Sequence, residues 1–194
     1  MDAEFESAAR FALVLMDFQR RPLARIEARD SIIQRVDGVR QVARQVGLQI
    51  VHVRVAFTAQ DYACIPQRNQ AFWPVVGVGA SAEGTPDSSI VDDLTPEDGD
   101  FVVTKTRFGA FSTTNLHHML QSKNINALIL AGVSTSGAVL STVRDAGDRD
   151  YELYVLSDCC ADPDANLHEL LMGSVISKQA KIIQSTELPK MFTR

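Results

Sequence analysis

The sequence predicts an α/β fold, a doubly wound three-layer α/β/α sandwich. Two observations lead there. Short apolar runs alternate along the chain with longer amphipathic ones, and the short runs are continuously apolar rather than alternating. Strands of that kind are buried on both faces, which is the condition of a parallel sheet covered by helices. Right-handed crossovers between parallel strands then wind the helices onto both sides. We expect one domain spanning residues 1–194.

The first run, FALVLM at 11–16, reads as a buried strand closed by Asp17. Residues 31–46 place Ile32, Ile33, Val36, Val39, Val42 and Val46 at helical spacing, and Gly47 stops the helix. LQIVHVRVAF at 48–57 is β-branched and strand-like. The segment 58–99 is irregular and carries Pro66, Pro74, Pro86 and Pro96; a connection this long carries function or short elements of its own. A short strand at 101–104, a helix at 112–122 and a strand at 127–131 ended by Gly132 follow. The remaining expected elements are a helix at 136–148, a strand at 151–156, a helix at 165–179 and a last strand at 181–183.

Composition narrows the function. The net charge is −5, and no Lys/Arg cluster offers the basic face that nucleic acid or an anionic membrane requires. The densest basic run, Arg20, Arg21, Arg25 and Arg29, is diluted by Glu27 and Asp30 and reads as a solvated loop. No stretch approaches the roughly 18–20 apolar residues of a membrane span. The acidic start, MDAEFESAAR, lacks the basic opening of a signal peptide. Cys64, Cys159 and Cys160 have no metal-like spacing and suit a reducing compartment, so a cytoplasmic location is expected.

In doubly wound folds, ligands bind beyond the carboxyl ends of the strands. Asp17, Lys105 and the segment GVSTSGAV at 132–139 each follow a strand and should converge there. A carboxylate and an ammonium in one cleft shift each other's proton affinity, with burial opposing ionisation. The turn entering the helix near 134–138 presents backbone N–H groups able to hold negative charge. Taken singly, each is bland: Asp17 as a turn residue, Lys105 as a surface lysine.

Together they carry a resemblance. LVLMDFQ at 13–19, GTPDSSIVDDL at 84–94, VVTKTRFGAFSTTNL at 102–116 and the block from LILAGVSTSGAVLS at 128 to ADPD at 164 occur in the order and spacing of the isochorismatase-like (cysteine hydrolase) superfamily, which the chain resembles over 11–185. The resemblance implies a mostly parallel, Rossmann-like sheet of six strands and a catalytic Asp–Lys–Cys set. Asp17 and Lys105 match the first two members, and the Val133–Ser134 peptide matches a bond typically cis in such proteins. The family cysteine falls at Ala138, which cannot attack a carbonyl.

Ala138 leaves three readings open. The first is a hydrolase that needs no cysteine, for which the isochorismatases are the precedent by resemblance: Asp17 protonates a vinyl ether and Lys105 orients the substrate. The second is a cysteine amidase whose nucleophile has been replaced. The third is a binding paralogue without turnover. Ser134, Thr135 and Ser136 stand at the wrong offset for a substitute nucleophile and suit helix capping. The family comparison also sets Phe18, Trp73, Phe108 and Phe111 around the cleft mouth and makes Val133, Ser134 and Gly137 part of the binding turn. Arg107 is placed to pair with a substrate carboxylate, with an exposed surface arginine as the equal alternative. The Asp-x-His motif of nicotinamidase-like members is missing from VHVRVAFTAQDY, so neither metal nor cofactor is expected. His52 reads as packed within its strand, and His117, His118 and His168 as helix-surface residues. A small-molecule substrate is expected, without a nucleic-acid or membrane partner, in a homo-oligomer (dimer or tetramer).

Overall fold

The computed structural model describes residues 9–192, so the acidic opening at 1–8 lies outside the described residues. Strand β1 (Phe11–Met16) is followed by a single helical turn, α1 (Arg20–Leu23), and then by α2 (Arg29–Gln45). The apolar stripe of α2, Ile32, Val36, Val39 and Ala43, is buried, and Gly47 ends the segment at a left-handed φ of 73°. Strand β2 (Gln49–Val55) leads into the long irregular segment, which holds α3 (Ala59–Ala63), α4 (Trp73–Val78) and two short 3-10 turns. Thr58 and Asp61 close a capping box on α3, and Pro74 opens α4.

The second half continues through β3 (Phe101–Lys105), α5 (Leu116–Ser122), β4 (Ala127–Val133), α6 (Leu140–Gly147), β5 (Glu152–Ala161), α7 (Ala165–Ser174) and β6 (Lys181–Ile183). The six strands form one sheet in the order β3-β2-β1-β4-β5-β6, and every pairing is parallel. Odd and even positions of β1 feed different layers. Ala12, Val14 and Met16 pack with Leu116, Leu120 and Val143 on one face, while Leu13 and Leu15 pack with Ile32, Val36 and Val39 on the other. Strand order reverses between β1 and β4, and a crevice opens beyond the carboxyl ends there.

Several boundaries differ from the sequence expectation. β4 continues through Gly132 to Val133, because Gly132 lies against Met16 of β1: a Cβ added at 132 would sit 2.8 Å from Met16 Cβ and from Met16 O. β5 extends past Leu156 to Ala161, through Ser157 and Asp158, after a shift of register against β4. The helix expected over 112–122 begins at Leu116, since Thr113 takes a left-handed φ of 62°. The helix expected over 136–148 starts as one π-helical turn, Thr135–Val139, before α6. The one expected over 165–179 breaks after Ser174 and resumes as the 3-10 turn Ile176–Lys178. Among the described residues, no helix is long and apolar enough to cross a membrane.

Candidate active site

Asp17 leaves β1 at a left-handed φ of 60°, and its N–H donates to Val53 O of β2 at 2.8 Å. A non-glycine residue at such a φ costs about 1–3 kcal/mol, which the surrounding contacts must hold in place. Gln19 supplies some of those contacts. Its fully buried amide donates to Val55 O at 2.8 Å and Ser88 O at 2.7 Å, and it accepts the Val55 N–H at 2.7 Å. The side chain thus staples the end of β2 and the long loop to the turn that carries Asp17.

Lys105, the last residue of β3, crosses beneath the crevice. Its Nζ donates to Asp17 Oδ2 at 2.7 Å, to Phe108 O at 2.9 Å and to Arg107 O at 3.1 Å. All three ammonium protons therefore have acceptors, although the side chain is 2 % exposed. Asp17 is less well provided for. Its Oδ1 is buried and has no hydrogen-bond partner. Burial pushes the carboxyl group above the usual carboxylate range, against the pull of Lys105.

The third component follows β4. Val133–Ser134 is a cis peptide, and Ala138 sits buried in the π-helical turn beyond it. The polar groups of this turn are committed. Ser134 Oγ accepts the Gly137 N–H at 3.2 Å; Ser136 donates its hydroxyl and its N–H to Asp162 at 2.6 and 2.8 Å. Thr135 Oγ1 lies 2.8 Å from His168 Nδ1. Only Ser134 takes the capping role expected of the three; Ser136 and Thr135 are tied to Asp162 and His168 instead.

Asp17, Lys105, Val133, Ser134 and Ala138 line one cleft of about 480 Å³ at the strand ends. A larger concavity, about 730 Å³, lies at the opposite end of the sheet, where Gln49, Gly99 and Ile125 border the strand starts. The cleft beside Asp17 is the candidate site, because the buried unpartnered carboxylate oxygen is there and ligand crevices of this fold open at the carboxyl ends.

Arg107 and Phe108 also line the cleft, as expected. The Arg107 guanidinium lies 5.2 Å from the centre of the Phe72 ring, and its Nη1 donates to Thr106 O at 2.6 Å. Three other residues need correction. Phe18 is buried among Leu15, Ile32 and Leu94 rather than at the cleft, because the turn at Asp17 sends it into the core. Trp73 is exposed and not part of the lining, and its neighbour Phe72 supplies the wall instead, packed 4.8 Å from Phe108. Phe111 belongs to the core, stacked on Tyr151. Gly137 stands behind the lining, where a Cβ would meet Ser134 Oγ at 2.8 Å and the Phe108 ring at 3.4 Å.

Sequence reasoning also missed two residues. Arg21 and Arg25, read as part of a solvated loop, lie on and just after α1, which folds over the strand ends and brings them into the cleft lining. Their charge was visible, but nothing local marks where the turn goes. The cysteines are not concealed nucleophiles. Cys160 is buried and its thiol is pushed up to about 12, Cys159 is raised further by burial, and Cys64 is exposed outside the cleft. His52 is buried within β2 against Asp100, as expected; His117 and His168 are half-buried and bonded to Tyr151 and Thr135 rather than free on helix surfaces. Among the described residues, no group of three His, Cys, Asp or Glu is gathered as a metal site.

The architecture is that of a doubly wound parallel α/β protein with a buried Asp–Lys pair beyond the carboxyl ends of its strands. The isochorismatase domain model matches residues 11–187, and the chain belongs to that family of hydrolases. It is 31 % identical over 182 residues to the phenazine biosynthesis protein PhzD of Pseudomonas fluorescens, covering 92 % of this chain and 84 % of that protein. A probable inactive nicotinamidase of Arabidopsis thaliana is 31 % identical over 166 residues, covering 81 % of this chain and 83 % of that protein. The crystal structure of a cysteine hydrolase from Pseudomonas syringae pv. phaseolicola superposes with a TM-score of 0.85 at 20 % identity, covering 94 % of this chain and 92 % of that one.

Proposed function

We propose that this chain is an isochorismatase-type hydrolase that cleaves a small enol ether without a covalent intermediate. The observation that carries the reading is Asp17 Oδ1, buried, unpartnered and part of the same cleft as Ala138, the position to which the sequence resemblance assigns the family cysteine. Asp17, held above the usual carboxylate range by burial, delivers a proton to the enol carbon. The resulting oxocarbenium-like cation is captured by water, and the proton that water loses returns to the Asp17 carboxylate. The hemiketal so formed collapses to a ketone and an alcohol. Lys105, saturated by three acceptors, stays in place as the counter-charge that keeps Asp17 aimed.

A second reading has its own support. A relative at 31 % identity is a probable inactive nicotinamidase, which supports a binding role for this chain as well. The test compares the protein with its Ala138→Cys variant on a panel of small amides and enol ethers. The proposal expects the alanine form to cleave an enol ether and the cysteine to add nothing to that rate. Amide cleavage by the cysteine form alone would make the scaffold an amidase without its nucleophile and overturn the proposal. Silence from both forms would favour a binding role.

A further inference from the structure

The turn that carries Ala138 is held from outside more tightly than by its own backbone. Thr135–Val139 is a single π-helical turn, and the first N–H groups of any helix lack partners within it. Onto Ser134 O the turn makes two bonds, from the Gly137 N–H at 3.3 Å and from the Val139 N–H at 3.2 Å. Three shorter contacts reach it from the stretch after β5. Asp162 Oδ2 accepts the Ser136 hydroxyl at 2.6 Å and the Ser136 N–H at 2.8 Å, and His168 Nδ1 lies 2.8 Å from Thr135 Oγ1. Thr135 is fully buried, so without His168 its hydroxyl would lose that partner where water cannot replace it.

Asp162 and His168 are in turn fixed to each other. The second oxygen of Asp162 accepts the Asp164 N–H at 3.3 Å, and the Asp164 carboxylate caps α7 on the N–H groups of Asn166 and Leu167 at 3.0 and 3.1 Å. The His168 N–H donates to Asp164 O at 3.0 Å. Burial holds the His168 imidazole below its usual range, against the pull of Asp162 and Glu169, so it meets Thr135 uncharged at neutral pH. Pro163 follows Asp162 directly, and Pro163 and Ala138 both line the cleft that holds Asp17. We propose that Asp162 and His168 are positioning residues, a paired clamp that fixes Ala138 and Pro163 in the cleft wall. Neither lines the cleft; they act through Ser136 and Thr135. This inference rests on the cleft being the functional site, but it concerns how the wall is held rather than the reaction run there.

The test follows amide hydrogen exchange along the full chain beside steady-state kinetics. His168→Leu should speed exchange at residues 136–139 about 10- to 100-fold and leave β1 and β3 at wild-type rates. His168→Asn, whose side-chain amide can take the place of Nδ1, should restore protection. Asp162→Ala should loosen the same four residues while His168 stays in place, and it serves where His168→Leu fails to fold. On an enol ether that the protein cleaves, His168→Leu should lower kcat about tenfold or more, with KM within about threefold of wild type. Exchange raised equally in β1 and β3 would make these residues general stabilisers and overturn the inference. Unchanged exchange at 136–139, or an asparagine variant no better than the leucine one, would do the same. The two proposals fail separately. A loosened turn with kcat intact would remove the positioning role and keep the hydrolase. Protection that depends on His168 in a protein that cleaves no substrate would keep the clamp and remove the hydrolase.

Discussion

Each end of the sheet buries a carboxylate against cations, and the two are completed differently. At the amino end, Asp100 accepts from both terminal nitrogens of Arg44 at 3.1 and 2.8 Å and from the Glu97 N–H at 3.0 Å, and its Oδ2 lies 3.2 Å from His52 Nε2. Although burial opposes it, these partners hold Asp100 below the usual carboxylate range. At the carboxyl end, Asp17 has one ion-pair partner, an orphaned oxygen, and a proton affinity raised by burial. A fully bonded carboxylate has nothing left for a ligand. An incompletely bonded one stores the cost of its burial where a substrate can use it. The larger concavity lies at the finished end and the candidate site at the unfinished one.

The sharpest way to break this comparison is to neutralise both carboxylates. Asp17→Asn should lower kcat/KM for the enol ether by about 10²- to 10⁴-fold, the usual share of a positioned general acid. Asp100→Asn should leave kcat/KM close to wild type and lower unfolding stability by about 2 kcal/mol, as expected for lost hydrogen bonds to a charged group. Denaturant titration beside steady-state kinetics separates the two effects. If Asp100→Asn lost activity as severely as Asp17→Asn, the distinction between the ends would collapse.

The next effect is one of pH. If Asp17 acts in its protonated form, activity is present below its pKa and is lost as the pH rises through it. Because burial raises that pKa, the alkaline limb of kcat/KM should be centred above the ordinary carboxylate value of 3.8. A limb at or below that value would argue against Asp17 as the acid.

The smallest effect belongs to the amino end. Burial depresses the His52 pKa below its ordinary 6.5, against the pull of Asp100. In the window between those two values the unfolded chain binds more protons than the folded one, so stability is present above pH 6.5 and declines as the pH falls through the depressed value. His52→Gln should flatten this slope between about pH 7 and pH 5. Unfolding midpoints measured at both pH values would show it, and an unchanged slope would place the acid sensitivity elsewhere.

The same contrast explains what could be read from the sequence. Strand cores such as FALVLM announce themselves because burial on both faces leaves no polar position. The meeting of Asp17 and Lys105 was legible because both close parallel strands at the edge where this architecture opens its crevice. Arg21, Arg25 and Phe72 were not. Their roles depend on where a one-turn helix and a proline-punctuated loop come to rest, and no periodicity in the chain encodes that. Phe18 misled for the complementary reason: it follows Asp17 directly, yet the left-handed turn between them sends it into the core. β5 was read too short because Ser157 and Asp158 look like a strand end, although the ladder resumes beyond them at Cys160.

Gly132 sets a limit on redesign. The two halves of the cleft hang from β1 and β4, and these strands touch at Met16 and Gly132 with no room for a single added carbon. The spacing of the strands that carry Asp17 and Ala138 is therefore set by the close approach of Gly132 to the Met16 backbone and Cβ. Efforts to admit a bulkier molecule have to work on the outer walls, α1 and the proline-rich loop, because the floor has no slack to give.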